Sequence, residues 1–184
     1  MKVSTLLAER FETVEALAVI DILRRAKIEV DTVSFSGERN VTSAQGVTVV
    51  ADALIEDYDF SDTDVLFLPG GPGHKNYKAS SQVLDLITSF ARSGKRVASI
   101  CAAPSIPGEL GLLEGKKAVC FPGFEDSLKG TQVLHAPVRV ITDGNMTTSR
   151  GMGTSIDLGL ELVSLLLGED KAHEIAVSIQ YIDE

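Results

Sequence analysis

The chain has 184 residues, 44% hydrophobic and 23% charged, with a net charge of −9. That length buries one sizeable core without a disulfide or metal staple, and the composition is that of a folded globular protein. The acidic balance argues against nucleic acid or anionic membrane as a main partner. Both need clustered basic residues, and the densest here are the pairs Arg24-Arg25 and Lys116-Lys117.

The expected organisation is a single domain over 1–184. Short apolar runs alternate with helical periods, the pattern of βαβ units around a mainly parallel sheet. Residues 3–8 read as a first strand. That run is too short for a signal-peptide core before Glu9-Arg10, and no segment is long enough to span a membrane, so the expected location is cytoplasmic. Ala16, Val19, Ile20 and Leu23 recur at helical spacing, predicting a helix over 13–26. A second strand covers 29–35, and 41–43 with 47–50 form a hairpin around Gln45-Gly46. Residues 65–68 are a buried strand, ended by Pro69-Gly70-Gly71-Pro72-Gly73. A helix over 81–93 leads to a buried strand at 97–100, which runs into Cys101. Residues 138–142 and 145–149 pair about the turn Asp143-Gly144. Thr154 and Asp157 resemble a capping box before a helix that stops at Gly168. The predicted fold is an α/β sandwich with helices on both faces, with ligands at the carboxyl ends of the strands.

Two such ends stand out. The loop 69–73 begins like a dinucleotide fingerprint, but Asn76 breaks it, and no Walker loop follows. It is either a tight turn or a place where bare backbone N–H groups meet an oxyanion. Cys101 sits where a strand passes directly into a helix start. That position is either a small buried hydrophobe or an exposed elbow whose helix dipole lowers the thiol pKa. Cys120, in an apolar run, reads as core. Glu15 is either a carboxylate favoured by the first helical turn or a partly buried acid able to share a proton with a thiol. Glu9 and Glu12 stand equally close to that helix start. With no CxxC, and with His74, His135 and His173 scattered, neither a metal site nor a structural disulfide is expected.

Four segments, in order, resemble the DJ-1/ThiJ/PfpI family. They are Phe11-Glu12-Thr13-Val14-Glu15 leading to Arg24-Arg25, Phe67-Leu68-Pro69-Gly70-Gly71, Ser99-Ile100-Cys101-Ala102-Ala103-Pro104, and residues 148–155 beginning Thr148-Ser149-Arg150-Gly151. Residues 41–52 also resemble its bacterial branch. The resemblance implies a flavodoxin-like sandwich, a homodimer, and Cys101 as a strained elbow cysteine. It implies that Glu15 bonds the sulfur and that the amides of Gly71 and Ala102 form the oxyanion hole. The peptidase-like branch has His directly after the cysteine, where this chain has Ala102. A later family histidine falls by count on Gln132, with His135 three residues on. Gln45 stands where relatives often carry Arg, and Arg25 is expected to face the pocket across a dimer.

The function this implies is glutathione-independent glyoxalase III- or deglycase-type chemistry, as a lyase or hydrolase, on methylglyoxal or a similar dicarbonyl. Cys101 is the nucleophile, Glu15 the proton carrier, and no cofactor is expected. The alternative is a stress sensor or chaperone whose Cys101 meets an oxidant and is oxidised. A PfpI-type cysteine peptidase is the third reading.

Overall fold

The computed structural model describes residues 1–183. In chain order the elements are β1 (Lys2–Leu7), α1 (Thr13–Arg25), β2 (Glu29–Ser34), β3 (Asn40–Thr42), β4 (Thr48–Val50) and β5 (Ala53–Leu54). They continue with β6 (Val65–Leu68), α2 (His74–Ala79), α3 (Ser81–Arg92), β7 (Arg96–Ile100), α4 (Ser105–Glu109), β8 (Lys117–Ala118) and β9 (Gln132–Val133). The last are β10 (Val140–Asp143), β11 (Met146–Ser149), α5 (Ser155–Leu167) and α6 (Glu169–Ser178).

Seven strands form one sheet in the order β10-β11-β7-β6-β1-β2-β5. Every neighbouring pair is parallel except the β10–β11 hairpin. The central strands are continuous apolar runs because both of their faces are covered. On one face, Val3, Phe67, Ala98 and Ile100 pack against Val19 and Leu23 of α1, Leu158 and Leu162 of α5, and Ile175 of α6. On the other, Leu6, Leu66, Leu68 and Val97 meet Tyr77, Val83, Ile87 and Phe90 of α2 and α3, with Ile106 of α4. The predicted sandwich is therefore the observed fold.

Chain direction reverses at β1: the chain passes first to β2 on one side, then back to β6 and β7 on the other. Such a switch point opens a crevice at the strands' carboxyl ends. There α1 starts after β1, the loop 69–73 follows β6, and Cys101 follows β7.

Some sequence expectations are corrected. Thr154 does not cap α5 with its side chain, and Asp157 makes no return bond. Thr154 Oγ1 is held within its own turn by Gly151 and Ser149. The Asp157 carboxylate accepts instead from Arg139 at 2.8 Å and from the Tyr181 hydroxyl at 2.6 Å. Gly168 ends α5 as expected, but its φ of 95° turns the chain directly into α6, a helix without a sequence signal of its own.

Candidate active site

The first contributor to the crevice is the start of α1. Glu12 is its N-cap, and Glu12 Oε2 accepts from the Glu15 amide at 2.7 Å. Glu9 accepts from the Thr42 amide at 3.0 Å. These two carboxylates thus have local structural tasks, whereas Glu15 does not. Its side chain turns inward and is 1% exposed. Glu15 Oε2 accepts from the Gly70 amide at 3.0 Å, Oε1 has no hydrogen-bond partner, and the carboxyl faces the Cys101 thiol.

The second contributor is the loop after β6. A Cβ on Gly70 would lie 2.6 Å from Glu15 Oε2, 2.6 Å from the Ile100 carbonyl and 2.7 Å from Cys101 Cβ. Only glycine lets this backbone pass between the carboxyl and the cysteine. Gly71 follows with φ of +85°, where a Cβ would lie 2.5 Å from the Glu12 amide nitrogen.

The third is the elbow. Cys101 has φ of 65°, a left-handed conformation costly for a side-chain-bearing residue. Neighbours on both sides enforce it. The Cys101 amide donates to the Ser149 carbonyl at 3.0 Å, and the Phe121 amide donates to the Cys101 carbonyl at 2.8 Å. Cys101 is partly exposed, and the backbone amides of Gly71 and Ala102, which have no oxygen acceptor, lie on its thiol side.

The expectation that a helix dipole lowers the Cys101 pKa is corrected. Residues 101–104 form turns, and α4 begins only at Ser105 and has five residues. Burial, with the charge of Glu15 and the bond to it, pushes the thiol up to about 12, against the two amides. Burial likewise raises the Glu15 carboxyl from 4.5 to about 7, against the bonds from Cys101 and Gly70 and aided by the charge of Glu12. The two groups titrate as a pair. An ionised Glu15 keeps the proton on sulfur. A protonated Glu15 removes that repulsion and offers an O–H to the thiolate.

Among the described residues, no hydrogen bond joins the remaining sequence candidates to Cys101 or Glu15. Gln132 is exposed on β9 and pairs with Lys117, four residues before the Phe121 that touches Cys101. His135 is also exposed. Arg25, bonded to Asp21 at 2.7 Å, sits ten residues after Glu15 at the other end of α1, about 15 Å along its axis. Gln45 has a structural task, its Oε1 accepting from Thr13 Oγ1 at 2.7 Å and so tying the hairpin to α1. Cys120 is buried in the α3-side core, as expected.

Sequence reasoning missed Phe121. It lies beside Cys101 and lines a cleft of about 400 Å³ with Pro122, Arg150, Gly151 and Met152. Its apolar surroundings in the sequence read as core, yet it is 47% exposed.

A strained cysteine at the end of a central parallel strand, faced by a buried carboxyl and two free amides, defines a nucleophile-elbow α/β protein. The chain belongs to the DJ-1/PfpI family, whose model matches residues 1–165. It is 37% identical over 172 residues to Protein DJ-1 homolog A of Arabidopsis thaliana, covering 92% of this chain and 44% of that protein. The chain thus spans less than half the length of that relative. It is 31% identical over 166 residues to a deglycase of Pyrococcus abyssi, covering 90% of this chain and 99% of that protein. Its fold matches a DJ-1 superfamily protein of Salmonella typhimurium, solved as a cysteine-to-alanine mutant, with a TM-score of 0.92, 34% identity and 98% of each chain covered. Similarity to plant, archaeal and bacterial proteins alike leaves the bacterial-branch resemblance of residues 41–52 without discriminating force.

Proposed function

We propose that this protein converts small dicarbonyls such as methylglyoxal, without glutathione, by glyoxalase- or deglycase-type chemistry at Cys101. The observation that carries the reading is the buried Glu15 carboxyl, anchored by the Gly70 amide, at the positive-φ Cys101, set beside the two uncommitted amides of Gly71 and Ala102. A base matched to neutral pH is what such proton transfers require. The similarity to a protein named as a deglycase points the same way.

The Cys101 thiol gives its proton to the Glu15 carboxylate as the sulfur adds to the aldehyde carbon, forming a C–S bond and opening the carbonyl π bond. The carbonyl oxygen becomes an oxyanion held by the Gly71 and Ala102 amides, and then takes a proton from Glu15, giving a hemithioacetal. Glu15, now a carboxylate, removes the proton from that carbon and returns it to the neighbouring carbon. The hydroxyl proton of the hemithioacetal passes to the former ketone oxygen, so that the aldehyde carbon is oxidised to a thioester while the ketone is reduced to an alcohol. Water cleaves the C–S bond, releasing lactate and restoring the thiol. In the deglycase variant, the same attack on a glycated amine or thiol ends in release of that group. The chemistry invokes no cofactor, and a homodimer fits the family.

A second reading uses the same donors. An oxidised Cys101 sulfinate would be held by the two amides and by protonated Glu15, making the site a sensor of oxidants. The peptidase reading has less support, because Ala102 follows the cysteine and a carboxyl, not an imidazole, faces the sulfur.

The test is methylglyoxal consumption without glutathione by the wild type, Cys101→Ala and Glu15→Gln, each checked for folding. The expected result is turnover above background in the wild type and a loss of at least about a hundredfold in both variants. Absence of turnover in fully reduced wild type refutes the enzymatic reading for this substrate and favours the sensor.

A further inference from the structure

We infer that His74 is a positioning residue that holds the Gly71 amide at the sulfur. The inference rests on the proposed role of that amide as an oxyanion donor. Gly71 has no side chain, and its φ of +85° is one of many conformations open to glycine. The Gly71 N–H shares a peptide plane with the Gly70 carbonyl, and the Gly71 carbonyl lies in the next plane, so only restraint of both planes fixes the rotations that glycine leaves free.

Bonds from outside supply the restraint. Upstream, the Gly70 carbonyl accepts from the Glu12 amide at 3.1 Å. Downstream, the Gly71 carbonyl receives two donors from a single residue: the His74 amide at 3.1 Å and His74 Nδ1 at 2.9 Å. A carbonyl oxygen only accepts, so Nδ1 carries its hydrogen and the tautomer at that nitrogen is settled. The imidazole is itself immobilised. It is 8% exposed and packs edge-on against Phe124, with ring centroids 5.2 Å apart and planes at 90°. Phe124 belongs to the segment between β8 and β9, which also carries the Phe121 amide that binds the Cys101 carbonyl. One segment therefore braces both halves of the site, the elbow through Phe121 and the amide loop through His74.

This assigns His74 a task other than acid–base chemistry. Its Nδ1 is spent on backbone, and its effect reaches the reaction through the orientation of Gly71. Small errors in the placement of such a donor cost rate steeply.

The chemistry of the ring supplies the test. The side-chain amide nitrogen of Asn occupies the place of Nδ1, whereas that of Gln corresponds to Nε2. His74→Asn, His74→Gln and His74→Ala are compared with the wild type by two readouts. One is kcat and KM for methylglyoxal. The other is the rate of Cys101 alkylation by iodoacetamide at one fixed neutral pH, which follows the thiolate population, with Cys101→Ser as the blank. The expected result is a kcat about tenfold lower in the Gln and Ala variants, with KM within about twofold. Their alkylation should be about tenfold slower at that pH, because one of the amide donors to the thiolate is misplaced. His74→Asn should restore both quantities to within about twofold of the wild type. Equal behaviour of Asn and Gln, or wild-type behaviour of all three variants, overturns the inference. If the wild type has no dicarbonyl turnover, the proposed reaction fails while the alkylation rate still decides the role of His74.

Discussion

The two ends of the same sheet handle polar groups in opposite ways. At the amino ends of the strands, Lys2 Nζ lies 3.0 Å from Asp31, 3.2 Å from Asp62 and 3.3 Å from Glu29, and 5.3 Å above the Tyr58 ring. Ser4 Oγ bonds Thr63 Oγ1 at 2.7 Å and the Tyr58 hydroxyl at 2.9 Å, and that hydroxyl donates to Asp31 at 2.8 Å. Each group there has a partner of complementary charge or hydrogen-bonding character. At the carboxyl ends, Glu15 is buried without a cation, Cys101 is held at positive φ, and the amides of Gly71 and Ala102 have no oxygen acceptor. Satisfied networks stabilise a fold. Strain and unmet hydrogen-bonding capacity, held in place by rigid surroundings, are what a reacting group can exploit.

Neutralising Glu15 is the strongest way to break this contrast. Its folded pKa is about 7 against 4.5 unfolded, so the folded state holds the proton more tightly. Below the unfolded value both states are protonated and the group costs nothing. As pH rises from 4.5 through 7 the unfolded state ionises first, and stability falls. The shift corresponds to about 3 kcal/mol once both states are ionised. Glu15→Gln removes this penalty. Denaturant unfolding should find the variant more stable than the wild type by up to about 3 kcal/mol above pH 7, with the gap closing toward pH 4.5. A gap independent of pH, or one that widens toward acid, contradicts the assignment.

The opposite end should give a smaller effect of the opposite sign. Lys2→Met removes the ammonium that three carboxylates share, and should destabilise by about 1 kcal/mol, less at high salt. Turnover of any dicarbonyl should be unchanged, because the network lies at the far end of the strands. A loss of activity with intact folding would show the two ends to be coupled.

Much of the fold was legible from the sequence because its signals are local. The strands at β1, β6 and β7 are unbroken apolar runs, α1 and α3 carry apolar residues at helical spacing, and the turn at Asp143-Gly144 predicts the β10–β11 hairpin. Short elements without such signals were missed. Among them are α2, β8, β9 and α6, of whose ten residues only Ile175 and Ala176 are buried. The site was legible only in part. Cys101 and the loop 69–73 lie at strand ends, which sequence can locate. What distinguishes Glu15 from Glu12 is a partner 55 residues away, the Gly70 amide, and no local pattern encodes it. Phe121 and His74 belong to the site for the same reason, through bonds to the Cys101 and Gly71 carbonyls. The misplaced expectation of a lowered thiol pKa came from treating the residues after Cys101 as helix when they are turns.

The central claim is that Glu15 is a buried carboxyl beside the Cys101 thiol that gives up its proton only near neutral pH. The most direct test is a carbon-13 NMR titration of the Glu15 side-chain carboxyl in the reduced wild-type protein, assigned by its loss in Glu15→Gln. The account predicts a midpoint near 7 that is sensitive to Cys101→Ala, whereas a midpoint near 4.5, unmoved by that substitution, would contradict it.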